Sequence, residues 1–354
     1  MSRDKLIIVG VLVLGLLGFL VYKQNQKDDA LGHTSASAKD FPTISVPEDV
    51  DKISITNGDK PEIVLQRVPD PKGTPSGDGG LPTIWQLTKP VTAAANQSTL
   101  KDIVNNLKDL KVTEQVNLKL DDEVRKDKHL DAANGLHVVV TKAGEKKLDA
   151  TFGKGGAQGT TLVTVADRPD VVFAAKGFQS YQFSKAVKDF RDKEILKFDD
   201  ANVAQITITN AHGTFSFTKG DHWAATLDKN PLPRFDEEKV KEMLRLYKAL
   251  NADDFADGKS LADTALDKPA ATVTIQLKDN AGKYEVLVGS TATGTNRWAK
   301  RPDDDTIFQI ANLSAEWATG DVPKFQSAAD AGAGDAGSKP AAAVAGGSPP
   351  KHHP

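Results

Sequence analysis

Val50-Asp-Lys-Ile53-Ser-Ile55-Thr-Asn57 and Val203-Ala-Gln-Ile206-Thr-Ile208-Thr-Asn210 are one phrase written twice, 153 positions apart. In each, the alternating isoleucines fall on one face of a strand, and the asparagine (Asn57, Asn210) marks the turn that ends it. A second strand follows, Ile63-Val-Leu65 in the first copy and Phe215-Ser-Phe217 in the second. Each copy then has one tryptophan, Trp85 or Trp223, ahead of a proline-bearing turn at Pro90 or at Pro231 and Pro233. A phrase that returns with its sequel points to a duplicated domain.

The helix that comes next repeats more closely. Leu100, Ile103, Val104, Leu107 and Leu110 match Val240, Met243, Leu244, Tyr247 and Leu250, every pair 140 apart. Spacing of i, i+3, i+4 and i+7 gives one apolar stripe. Asn96 and Asp236 precede the two stripes, again 140 apart. Each carries a short side-chain oxygen able to accept the free backbone N–H groups of a first turn. The rest of each copy reads as strand. His137-Val-Val-Val-Thr141 corresponds to Thr272-Val-Thr-Ile-Gln-Leu277, and Leu148-Asp-Ala-Thr-Phe-Gly153 to Tyr284-Glu-Val-Leu-Val-Gly289. Arg168-Pro169-Asp170 and Arg301-Pro302-Asp303 each precede a further strand. The expected unit is β-β-α-β-β-β-β, an antiparallel α+β domain, occurring over residues 42–198 and again over 199–326. The first copy carries a Pro/Gly-rich insertion, Pro69 to Pro82, and a charged segment, Asp121 to Asp131.

These features together resemble the bacterial domain-of-unknown-function 4340 family. The residues that carry the resemblance are the strand-Asn openings, Trp85-Gln-Leu-Thr-Lys-Pro90 with its capped helix, and Phe190-Arg-Asp-Lys-Glu-Ile-Leu196 at the junction. Leu266-Asp-Lys-Pro269 and Val286-Leu-Val-Gly289 fit as well. The resemblance covers about residues 41 to 326 and the N-terminal apolar segment. It implies an envelope protein, of a kind sometimes associated with gliding-motility-type ABC transporter systems, and it brings no accepted catalytic residues.

That N-terminal segment, Leu6 to Tyr22, holds no charge over 17 residues. As a helix it would span roughly 26 Å, near the short end for a bilayer core. Leu6, Val13 and Leu17 give the anchor its apolar surface, and Tyr22 stands where an interfacial aromatic belongs. A cleaved signal peptide is the rival reading; Ala36-Ser37-Ala38 has the small-x-small pattern but lies well beyond the apolar run. The reading favours an uncleaved anchor of the inner membrane, with residues 1–5 as a cytoplasmic stub. Arg3 and Lys5 before the helix face Lys23 and Lys27 after it, so the charge rule leans only slightly towards an inside N-terminus and a periplasmic body. Residues 23–41 read as a flexible tether, and 327–354, dominated by Ala, Gly, Pro and Ser, as a disordered tail.

Composition narrows the chemistry. The 354 residues contain no cysteine, which removes disulfides, thiolate metal sites and cysteine nucleophiles. With 45 basic and 48 acidic residues the balance carries no electrostatic footprint for nucleic acid. Gly153-Lys-Gly-Gly-Ala-Gln-Gly159 lacks the spacing of a dinucleotide or phosphate loop and reads as a hairpin connection. His212 and His222 flank one hairpin but have no histidine counterparts in the first copy. Asp303-Asp-Asp305 lacks the ligand ladder of a calcium loop, and His352 and His353 form a lone tail pair. His137, inside a strand, reads as a packed or edge residue. No polar cluster with catalytic spacing recurs in both copies, so no catalytic, cofactor or metal residue is assigned. Two classes of function stay open: a non-enzymatic envelope protein that holds a membrane partner such as a transporter subunit, and a module that binds or senses an envelope ligand, glycan or peptide. An enzyme ranks third.

Overall fold

A computed structural model describes residues 32–33, 41–42, 44–74 and 81–327. The expected anchor at Leu6, Val13, Leu17 and Tyr22, and the tail beyond Ser327, lie outside the described residues. Among the described residues no helix is long and apolar enough to cross a membrane. The chain divides into two compact units between Lys193 and Glu194. The junction segment is split by its hydrogen bonds. Asp192 donates its amide to Ala94 in the first unit, whereas the amides of Ile195 and Leu196 both donate to the Leu250 carbonyl in the second. Residues 194–198, assigned by the sequence to the first copy, therefore go with the second.

The first unit contains β1 (Gly32–His33), β2 (Lys52–Asn57), β3 (Ile63–Pro69), β4 (Thr83–Lys89), β5 (Ala93–Ala94), α1 (Gln97–Lys108), β6 (Lys111–Asn117), α2 (Asp122–Asp127), β7 (Leu136–Lys142), β8 (Glu145–Gly155), β9 (Thr161–Val165), β10 (Arg168–Lys176) and the short helices α3 (Ser180–Phe183) and α4 (Val187–Phe190). The second contains β11 (Val203–Asn210), β12 (Gly213–Lys219), β13 (Trp223–Leu227), β14 (Asn230–Pro231), α5 (Glu237–Tyr247), β15 (Asp254–Phe255), β16 (Ala271–Leu277), β17 (Lys283–Thr291), β18 (Arg297–Lys300), β19 (Ile307–Ile310) and α6 (Asn312–Thr319). Both are antiparallel sheets backed by helices, the α+β class expected.

The strand orders agree. The first sheet runs β1-β6-β10-β9-β8-β7-β2-β3-β4-β5 and the second β15-β19-β18-β17-β16-β11-β12-β13-β14. Leaving β1 aside, every strand has its counterpart at the same place, which is a structural repeat. The simple β-β-α-β-β-β-β order needs correction. The tryptophans lie on third strands, β4 and β13, and a further strand, β6 or β15, follows the main helix to the sheet's far edge. Inside the expected tether, Gly32–His33 pairs with Asn117 and Val116 of β6, so that stretch is not free of structure throughout.

Each unit buries its own core. Ile53, Ile55, Leu65, Trp85 and Leu87 of one sheet face meet the α1 stripe; Ile206, Ile208, Phe215, Phe217 and Trp223 meet the α5 stripe. Trp85 is 4% and Trp223 8% exposed. At the helix starts the Asn96 side chain accepts from the Thr99 amide at 2.9 Å, and that of Asp236 from the Glu238 amide at 3.0 Å. The opening asparagines end their strands differently. Asn210 donates its side-chain amide to the carbonyls of Ala318 and Gly320, while Asn57 accepts the Lys60 amide at its own carbonyl in a turn carried by Gly58 at positive φ.

Candidate functional site

The groove beside each tryptophan is built from the same positions twice. On β3 and β4, Arg67 is the cross-strand partner of Trp85; on β12 and β13, Lys219 is the partner of Trp223. Residues directly opposite on antiparallel strands bring their side chains together. The Arg67 guanidinium accordingly lies 4.8 Å from the centre of the Trp85 ring, and the Lys219 ammonium 5.9 Å from that of Trp223. A cation over an indole face is held by the ring quadrupole. Both cations also reach the main chain at the sheet's entry. Arg67 donates to the carbonyls of Val50 and Glu48, and Lys219 to that of Asp200.

The helix supplies the other wall. Its first residue turns back onto the tryptophan strand in both units. Gln97 accepts from the Trp85 amide at 2.8 Å and donates to the Trp85 carbonyl at 2.8 Å. Glu237 accepts from the Trp223 amide at 3.1 Å. The Glu237 carboxyl is held far below the ordinary range, at about 2, first by the Lys241 ammonium and then by that backbone N–H. One turn on stand Lys101 and Lys241, then Val104 with Asn105 and Leu244 with Arg245. The far end is closed by an acid and a lysine. Glu48 pairs with Lys108, and Asp200 pairs with Lys248 at 3.2 Å. The cavities measure about 330 Å³ in the first unit and about 560 Å³ in the second.

The other sequence candidates do not converge. His137 shares Asp149 with Lys146, at 2.8 and 2.6 Å; burial pushes the Asp149 carboxyl up, but the two hydrogen bonds hold it below the usual range. The amide of His212 donates to the Asn210 side chain, and the ring of His222 stands exposed, 3.6 Å from Glu237. Asp303 pairs with Arg301, and Asp304 accepts the Lys300 ammonium at its carbonyl. Gly153–Gly159 joins β8 to β9 as a hairpin connection. Among the described residues no three His, Asp or Glu side chains are grouped to hold a metal ion.

Of the six residues that mark the repeat, Trp85 and Trp223 line the two grooves, Asn96 and Asp236 cap the helices that form the second wall, and Asn57 and Asn210 lie at the ends of strands. The groove's polar residues were passed over in the sequence. The signal was present: Gln97 and Glu237, Lys101 and Lys241, and Lys108 and Lys248 keep the 140-residue interval of the apolar stripe. A family model described as Domain of unknown function (DUF4340) matches residues 85–269, from the first tryptophan, through the second tryptophan and α5, to Pro269. Neither a curated protein nor a solved structure matches the chain.

Proposed function

The chain belongs to the DUF4340 family, and from that premise we propose that it is a non-enzymatic accessory protein, anchored in the inner membrane with a periplasmic body, that holds a membrane-protein partner such as an ABC transporter subunit. The observation that carries this reading is the recurrence of the groove. Its polar groups are largely spent on the main chain: Gln97 and Glu237 on the tryptophan amides, Arg67 and Lys219 on carbonyls near the start of each sheet. What the grooves offer at the surface is charge and shape, which suits recognition better than bond-making. An anchor would place body and partner in one bilayer, where raised effective concentration lets a weak interface suffice.

The test is crosslinking of the full chain in membranes, followed by mild-detergent purification. The expected result is a stoichiometric membrane protein that is lost when residues 41–326 are deleted. Isolation of the anchored protein alone, with a soluble body restoring function without its helix, would overturn the reading. That outcome would favour the second reading, a soluble envelope ligand, which the size of either groove suits.

A further inference from the structure

The grooves differ in which cation is left over. In the second unit Lys241 is taken by Glu237 at 2.9 Å and by Glu238 at 2.7 Å. Arg245, one turn further along that face, is exposed and has no ion pair or hydrogen bond among the described residues. In the first unit Gln97 and Ser98 stand where the two glutamates do, and Asn105 where the arginine does. There the lysine itself, Lys101, is exposed and without such a partner among the described residues. The spare charge has moved by one turn, yet each groove keeps one. It lies on a wall whose floor is Val104 or Leu244, beside the second cation over the indole.

Two copies that change their ion pairs and still leave one cation free share a requirement that internal packing does not impose. We propose that each groove accepts an acidic side chain from an extended polypeptide segment of the partner. The carboxylate would meet Lys101 or Arg245 in a charge-assisted hydrogen bond, and its aliphatic stem would lie along the helix wall. This rests on the partner-holding reading above.

Calorimetric titration of the full chain in detergent, at low ionic strength so that exposed charges are not screened, tests it. The probe is an end-blocked octaglutamate, with octaglutamine as the neutral control and inorganic phosphate as a competing anion. One site in each unit is expected. Lys101→Gln should weaken the first and Arg245→Gln the second, each by about tenfold, the scale of one hydrogen bond to a charged group. Lys101→Arg and Arg245→Lys should keep both sites. Both side chains are exposed, so unchanged thermal unfolding should accompany every variant. Failure of octaglutamate to bind, unaltered binding in the double Gln variant, or equal binding of octaglutamine would each overturn the proposal. Displacement by phosphate at matched anion concentration would overturn its polypeptide half. A crosslinked partner that survives Lys101→Gln with Arg245→Gln would leave the partner-holding reading standing and remove this one.

Discussion

Gln97 and Glu237 occupy one position in two copies and differ by a single ionisable group. Both fasten the first residue of the main helix to the amide of a tryptophan, but only Glu237 can lose its charge. Its native pKa, about 2, lies below the ordinary 4.5 because Lys241 and then the Trp223 amide favour the carboxylate. A depressed pKa stabilises the folded state fully above the unfolded value and ceases to do so as pH falls through the native one. The window for Glu237 thus runs from 4.5 down to about 2. In that window exchange of the Trp223 amide hydrogen should accelerate relative to that of Trp85, whose Gln97 partner has no proton to gain. Glu237→Gln should make the two amides behave alike. Equal acid sensitivity of both amides in the unaltered chain would refute the clamp. The residue types were legible at their 140-residue interval. The clamp was not, because a bond from a helix start back to a strand 12 or 14 residues earlier depends on how the intervening turn folds.

At the scale of elements, a crossing that repeats in both units explains a glycine in each. The segment ending α2 passes over β8, and the segment before β16 passes over β17. The amide of Lys154 donates to the Lys128 carbonyl and that of Ser290 to the Thr264 carbonyl, both at 2.9 Å. A Cβ on Gly153 would stand 2.3 Å from the Lys128 oxygen, and one on Gly289 2.2 Å from that of Thr264; Leu130 and Leu266 close each contact from the side. Gly153→Ala and Gly289→Ala should therefore force the crossing segment off its strand, at a cost of about 1–3 kcal/mol by denaturant unfolding, the range of an overpacked interior. Gly155→Ala, whose nearest atom outside its chain neighbours would be 3.9 Å away, is the control and should change little. A Gly153→Ala variant as stable as the control would show that the crossing is not closely packed. The strand–helix periodicities were readable because they are local: Ile53 with Ile55, the α1 stripe, Asn96 and Asp236. The strands β4 and β13 were missed because a short inward pair, such as Trp85 and Leu87, is cut off by a proline turn. Strand β6 was missed because its only apolar residues, Val112 and Val116, stand four positions apart, a spacing that does not read as strand alternation. No turn motif announces the glycine crossing.

Over the whole molecule, duplication was the most legible property, since two sheets of one strand order inherit one sequence phrase. The proposal that the body is tethered at a membrane rests on the 17 uncharged residues from Leu6 to Tyr22. A tether of 19 residues, 23–41, would reach roughly 25 Å as a flexible coil. Pairing of Gly32–His33 with β6 alters that estimate. If the strand stays docked, only residues 23–31 separate it from the anchor, and a coil of that length reaches roughly 15–18 Å. Under the proposed anchoring, the first unit would then ride closer to the bilayer. Cleavage after Ala38 would leave this strand on the discarded piece and free the body. Protease added to spheroplasts should therefore digest residues 41–326, and membranes washed in high salt should retain them, with the N-terminus of the mature chain still ahead of residue 30. A body protected from protease, or an N-terminus beyond residue 30, would rule out the anchored arrangement and, with it, a partner held in the same bilayer.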